Sequence, residues 1–335
     1  MSVQIVDAAR LRDLVGFEDL IEPVSRAFQD FSAGLAQCAI MTMFPASEPT
    51  LGDVYVKTGC IRGHSHYLVK VSPWFAVNRD LAQPQGGFLA VFDSATGHTA
   101  AILNDEHYLS DIRTAAAGAL AARVLAPESV CVAGILGTGV QAYWQAQALF
   151  LVRKFERLLI WGRDREKTVA LKRQLAPRLP DVDIVPTENV REVVEAAEVL
   201  VTVTAAREPI VQGDWLRPGQ HITAVGADDE TKCELDAQCL KRANRLIVDS
   251  LDSAKDHGEV HRWLKQGALR IEDIHGELGE VLAGTVPGRR SSEEITIAKF
   301  VGIGVQDLAA AEVSIEKLKQ AGQDLLSSIS GFEKA

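Results

Sequence analysis

The stretch Val130-Cys131-Val132-Ala133-Gly134-Ile135-Leu136-Gly137-Thr138-Gly139-Val140-Gln141-Ala142 decides the fold. Val130 to Leu136 is a short apolar run that predicts a buried strand. The residues after Gly139 open a helical stretch through Val152. Between them lies a G-x-G-x-x-A spacing with a specific physics. Gly137 permits a tight turn, Gly139 lets the backbone approach a pyrophosphate, and Ala142 lets the helix pack near the strand. The first-turn N–H groups and the helix dipole then face the phosphates. The same spacing alone also describes a plain βα turn, so context decides. The chain supplies it. Short apolar runs at Arg157–Trp161, Val182–Val185, Val199–Val203, His221–Val225 and Arg245–Asp249 alternate with helical segments. That alternation predicts a parallel sheet covered by helices, an α/β Rossmann domain that binds NAD(P).

Cofactor choice is expected at the end of the second strand, where an acidic residue bonds the ribose of NAD. The run there is Ile160-Trp161-Gly162-Arg163-Asp164-Arg165-Glu166-Lys167. Arg163 directly after Gly162 suits a 2′-phosphate, which tips the expectation to NADP. Asp164, one residue late for the ribose contact, keeps NAD in play. Arg165 and Lys167 read as a solvated helix start.

Upstream, Leu20, Val24, Phe28 and Phe31 give helical spacing from Leu20 to Ala33, followed by strand-like runs at Val54–Val56, Tyr67–Val71 and Phe88–Phe92. A helix is expected from about Leu109, capped by Ser110 or Asp111 and stopped by Pro127. Downstream, Glu294–Phe300 reads as a strand and Val305–Ala321 as a closing helix. The expected organisation is an α+β domain from 1–118 with 300–335, interrupted by a Rossmann domain at 119–299. A length of 335 residues fits two domains.

The bulk features narrow the function classes. The net charge of −10 is a poor match for nucleic acid or anionic lipid. No apolar run reaches the roughly 20 residues of a membrane span. The segment from Met1 to Asp7 lacks the basic region and apolar core of a signal peptide, so a cytoplasmic location is expected. Five cysteines without C-x-x-C spacing read as reduced thiols. His64 with His66, and His257 with His261, resemble halves of metal sites, but no third ligand follows at a recognisable spacing, so no metal is expected.

Six motifs in order resemble the family of ornithine cyclodeaminases, mu-crystallins (ketimine reductases) and related alanine dehydrogenases. They are Val69-Lys70-Val71, Tyr108 to Ala117, Gly137 to Ala142, Val225-Gly226-Ala227-Asp228 with Lys232, Glu234 and Leu235, Val248-Asp249-Ser250 with Gly258-Glu259, and Ile295-Thr296-Ile297 with Gly302 to Asp307. The resemblance implies an N-terminal substrate-binding and homodimerisation domain, a Rossmann domain and a C-terminal return. It implies hydride transfer between a nicotinamide and the α-carbon of an amino acid or cyclic imine. By motif, Lys70 and Arg113 would hold the substrate carboxylate, and Asp228 would bind the amine and move its protons. Thr114 and the loop Gly137, Thr138, Gly139, Val140 and Gln141 would hold the cofactor phosphates, and Thr204 and Gly302 would lie near the nicotinamide. Each residue also has a plain structural reading: Lys70 as a surface lysine, Arg113 in a helix-start pair with Asp111, and Asp228 in a solvated acidic turn.

The departures bear on substrate. Cys38 to Phe44 lacks the arginine often found before Pro45, and Lys57 or Arg62 could replace it. A gap-free count puts Lys57 where ornithine-specific relatives carry an acid, which disfavours a cationic distal amine. Glu230 and Thr231 replace the usual Pro-Gly of the Asp228 loop. The expected activity is an amino-acid dehydrogenase or imine reductase. The alternatives are an ammonia-releasing cyclodeaminase and a crystallin-like NADP(H)-binding protein without turnover.

Overall fold

A computed structural model describes residues 3–46, 52–78, 81 and 85–322. The chain begins with β1 (Gln4–Asp7), α1 (Ala8–Leu14), α2 (Ile21–Ser32), β2 (Ala36–Ala46), β3 (Gly52–Ile61), β4 (His66–Phe75), β5 (Phe88–Asp93), β6 (Thr99–Asn104) and α3 (Tyr108–Leu125). It continues as β7 (Val132–Leu136), α4 (Val140–Val152), β8 (Arg157–Trp161), α5 (Arg165–Leu175), β9 (Asp183–Thr187), α6 (Val190–Ala196), β10 (Val199–Thr202) and β11 (His221–Ala224). Then follow α7 (Ala237–Arg242), β12 (Arg245–Val248), α8 (Leu251–Asp256), α9 (Gly258–Lys265), β13 (Gly276–Glu277), α10 (Leu278–Leu282), β14 (Thr296–Lys299) and α11 (Gly304–Gln320).

Two compact units result: Met1–Arg113 with Ile303–Ala335, and Thr114–Gly302. The divisions fall inside α3 and just before α11, rather than after residues 118 and 299. Residues 323–335 of the expected C-terminal portion lie outside the described residues.

The first unit is a mixed sheet in the order β1-β6-β5-β4-β3-β2, antiparallel except for the β1–β6 pair. Helix α2 buries Val24 and Phe28 on one face, as its spacing requires. Helix α11 packs against α2, β3 and β4 and closes this unit's core with Leu308, Ile315 and Leu318. The approach is close. A Cβ on Gly59 would lie 2.5 Å from the Gly304 carbonyl oxygen, so only glycine admits the helix there.

The start of α3 corrects one expectation. Its cap is Asp105, whose carboxylate accepts the Leu109 N–H at 3.0 Å. Glu106 and His107 take left-handed backbone angles (φ 49° and 74°) that turn the chain into the helix. Ser110 and Asp111 therefore sit within the first turn, and Asp111 pairs with His107 at 3.0 Å. Capping propensity alone favours Ser110 or Asp111, and it is the tight turn at Glu106 and His107 that brings Asp105 to the helix start instead.

The second unit is an eight-stranded sheet in the order β13-β12-β14-β11-β10-β7-β8-β9. Every pair is parallel. Strands β10, β11, β12 and β14 are buried along their whole length, as expected when helices cover both faces. The chain runs outward from β7 to β8 and β9, then returns to β10 on the other side of β7. The order thus reverses at the carboxyl end of β7, where ligands of doubly wound sheets bind.

Candidate active site

In the first unit, three cations gather on one face of the mixed sheet. Lys57 on β3 and Lys70 on β4 are register partners, so their side chains share a face. Both are buried, at 8% and 3% exposure. Arg113 reaches the same place from α3, and Asp307 from α11 answers the charges. Its Oδ1 accepts from Lys70 Nζ at 3.1 Å and from Arg113 Nε at 2.9 Å. Arg113 Nη1 also donates to Gln306 Oε1 at 3.3 Å. Asp307 Oδ2 has no hydrogen-bond partner among the described residues. Burial pushes the Asp307 carboxyl up, but the charges of Arg113, Lys70 and Lys57 outweigh it and hold the group at about 2. Burial lowers Lys70, and the Arg113 charge adds to that. Burial raises the nearby Asp105 carboxyl. Lys70 is therefore no surface lysine, and Arg113 pairs with Asp307 rather than Asp111. Arg62 lies exposed in the turn after β3, so Lys57 is the cation brought to Lys70.

In the second unit, the glycine loop leads from β7 into α4. Gly137 has φ 133°, and a Cβ there would meet the Val203 carbonyl oxygen at 2.7 Å. Gly139 is the N-cap of α4, accepts no side-chain cap, and has open space where a Cβ would point. The N–H groups at the start of α4 thus face an open approach, which fits a dinucleotide pyrophosphate. Thr138 is half-buried, with its methyl packed where a Gly162 Cβ would lie. Val140 is exposed and Gln141 half-buried in the first turn. Thr114 is half-buried on α3, and its carbonyl accepts from Gln145 Nε2 at 2.9 Å. Arg163, just beyond β8, is exposed. Asp164 caps α5 instead, accepting from the Glu166 and Lys167 N–H groups at 2.9 and 3.2 Å.

Asp228 follows β11 on a half-exposed loop and pairs with Lys232 at 2.5 Å. With Glu230 and Thr231 in place of the Pro-Gly usual in the family, Asp229 turns the loop by accepting from the Thr231 N–H at 2.7 Å and the Lys232 N–H at 3.0 Å. Thr204 gives its N–H and hydroxyl to Glu234. The Gly302 N–H is held by Asp249 Oδ2 at 2.6 Å, and its φ is 86°. Thr204 and Gly302, with the Gly137 loop and Asp228, come from the carboxyl ends of the parallel strands. The sequence reading gave no role to Asp307, Glu234 or Asp249, although all stand in the quoted motifs. A buried acid among apolar neighbours was the available signal. His64 and His66 both contact Glu312, at 2.8 and 3.4 Å, and no group of three metal-ligating side chains occurs among the described residues.

A parallel sheet reversing beside a glycine turn makes the second unit a Rossmann-type dinucleotide fold, joined to an α+β unit with a buried cationic cluster. The model of the ornithine cyclodeaminase/mu-crystallin family matches residues 3–322, and the chain belongs to that family. It is 40% identical over 270 residues to an uncharacterized cyclodeaminase of Sinorhizobium fredii, covering 80% of this chain and 81% of that one. The structure of a Thermococcus litoralis Δ1-pyrroline-2-carboxylate reductase with NADH and L-proline superposes with a TM-score of 0.90 at 28% identity, covering 96% and 98% of the two chains. An archaeal alanine dehydrogenase dimer with bound NAD gives 0.88 at 29% identity, with the same coverage. NAD or NADH is bound in both solved relatives. Among the described residues no helix is long and apolar enough to cross a membrane.

Proposed function

We propose that this chain transfers a hydride between a nicotinamide dinucleotide and the α-carbon of a small amino acid or its imine. The observation that carries this reading is the buried charge of the first unit. Among the described residues, the buried Lys57, Lys70 and Arg113 act on the buried Asp307, and Asp105 acts on Lys70, a cationic setting that suits one substrate carboxylate. Lys70 and Arg113 are the carboxylate ligands, with Arg113 already oriented by Asp307 and Gln306. Asp228 binds the substrate nitrogen and takes or returns its proton. Thr114 and Gly137 to Gln141 hold the dinucleotide phosphates, and Thr204 and Gly302 stand toward the nicotinamide. The cofactor supplies the hydride chemistry, while the chain supplies binding and orientation.

Arg163 supports NADP over NAD, because it is exposed beside the second strand while Asp164 is engaged as a helix cap. A homodimer is supported by the sheet's other face. The register row Met41, Val56, Val71 and Phe88 runs across four strands, with Met41 and Phe88 at 53% and 37% exposure. Five free thiols fit a reducing, cytoplasmic setting. The test is reduced-cofactor absorbance with small cyclic imines, and with α-keto acids plus ammonia. Turnover with none of them overturns the reading. The cyclodeaminase relative makes ammonia release from a diamino acid, with only catalytic cofactor, the competing outcome.

A further inference from the structure

Beneath the Asp228 loop lies a cluster that no substrate or cofactor role above uses. Glu234, Glu259 and Lys299 are all fully buried. Glu234 Oε1 accepts from the Thr204 N–H and hydroxyl, and Oε2 from the Thr202 hydroxyl at 2.7 Å and the Gly226 N–H at 2.8 Å. Its own N–H donates to Glu259 Oε1 at 3.1 Å. Lys299 Nζ lies 2.9 Å from Glu259 Oε2 and donates to the Ala227 carbonyl at 2.6 Å. The Gly258 N–H donates to the Asp229 carbonyl at 2.9 Å. The loop is therefore pinned at 226, 227 and 229, on both flanks of Asp228. Glu234 ties the same loop to the end of β10.

We propose that Glu234, supported by Glu259 and Lys299, is a positioning residue: its ionised carboxylate fuses the Asp228 loop and the Thr202–Thr204 strand end into one platform. The chemistry requires the anion. Two of its donors are backbone N–H groups, which cannot reverse to accept from an acid or an amide. Two fully buried carboxylates against one ammonium are a costly way to fill a core that apolar side chains would fill well. Burial and the Glu259 charge raise Glu234 to about 7, against the opposing pull of Lys299 and the Thr202 and Thr204 bonds. The charged groups acting on it are Glu259 from α9 and Lys299 from β14, while Asp228, Asp229 and Lys232 on its own segment pair with one another. Acidification through neutrality protonates Glu234 and loosens the platform.

The effect on turnover rests on the role given to Asp228 above, whereas the platform itself does not. The test is amide hydrogen exchange in peptides spanning 200–206 and 224–232, at pH 8 and pH 6 and corrected for intrinsic rates. Wild-type protection should fall by about tenfold at pH 6, the effect of losing one charge-assisted hydrogen bond. Glu234→Gln should show the loosened state at both pH values. Its kcat should fall by about tenfold or more while NADH affinity, read by fluorescence, changes little. Wild-type protection that ignores pH, which needs no variant to fold, overturns the proposal. So does a Glu234→Gln protein as protected as wild type. The expected exchange with unchanged kcat upholds the platform and instead removes Asp228 from the chemistry.

Discussion

Replacing Asp307 by Asn tests the cationic cluster most directly. The Asp307 side chain is 1% exposed and a single oxygen serves both Lys70 and Arg113. Its drop from 3.8 to about 2 corresponds to about 2 kcal/mol favouring the folded anion. The sign follows. This contribution is present above pH 3.8 and is lost as pH falls toward 2. Asparagine does more than forfeit it, because it leaves two buried cations without a counter-charge and points amide hydrogens at one or both. Breaking a buried pair from one side costs about 3–5 kcal/mol. At about 2–4 °C per kcal/mol for a domain of this size, melting should fall by roughly 10 °C. Thermal unfolding at pH 7.5, followed by circular dichroism, measures it.

The same variant separates a structural pair from a ligand site. With Asp307 neutral, the excess positive charge at Lys57, Lys70 and Arg113 rises, so an added small carboxylate should stabilise Asp307→Asn more than wild type. A shift below about 2 °C would mean that Asp307 is not the counter-charge of this cluster. A normal destabilisation with no carboxylate rescue would keep the pair and remove the carboxylate site.

Gly137→Ala puts a Cβ 2.7 Å from the Val203 carbonyl at φ 133°, and should weaken NADH binding by about tenfold or more in a fluorescence titration. Arg163→Ala should weaken NADP more than NAD; equal loss, or none, removes the NADP assignment. Met41→Asp places a charge in the exposed apolar row of the mixed sheet and tests the proposed homodimer: light scattering should give a lower mass than wild type, and an equal mass removes this row as the dimer face. His221 is wholly buried between the Thr296 and Thr223 hydroxyls, and burial, with Arg289, pulls it down to about 3. The unfolded chain protonates it near 6.5, so stability is complete above 6.5 and erodes as pH falls toward 3, by about 1.4 kcal/mol per pH unit. His221→Asn should flatten that part of the urea-midpoint profile between pH 7 and pH 5; an unchanged slope would exclude His221 as its source.

What the sequence disclosed and what it hid divide by range of interaction. The parallel sheet was legible because most of its strands centre on short apolar runs, such as those of β7 and β10, and the glycine turn is local to β7 and α4. Helix α2 was legible from the spacing of Leu20, Val24 and Phe28, whereas α1 went unread. The start of α3 was misjudged because Asp105, Ser110 and Asp111 are all good caps, and only the left-handed turn at Glu106 and His107 selects the first. The partner of Lys70 was hidden for a different reason. Asp307 lies 237 positions along the chain, and nothing in either local pattern names the other. Glu234 was similarly opaque: its bonds to Thr202 and Thr204 exist only after β10 and β11 pair side by side.

The charge of the whole chain and the charge of the cluster point in opposite directions, and distance decides which governs the substrate. The 45 acidic and 35 basic residues are mostly solvated, and salt screens such charges beyond about 8 Å. Lys57, Lys70 and Arg113 are buried, where screening is weak and the excess over Asp105 and Asp307 persists. On the proposed reading, one substrate carboxylate meets that charge. A substrate with a second ammonium would restore it, whereas a neutral side chain would not. The 40% identity to a cyclodeaminase therefore argues less about substrate than Lys57 does. Rapid ammonia release from ornithine, exceeding turnover of a neutral imino acid, is the result that this charge balance opposes, and observing it would place Lys57 outside the substrate site.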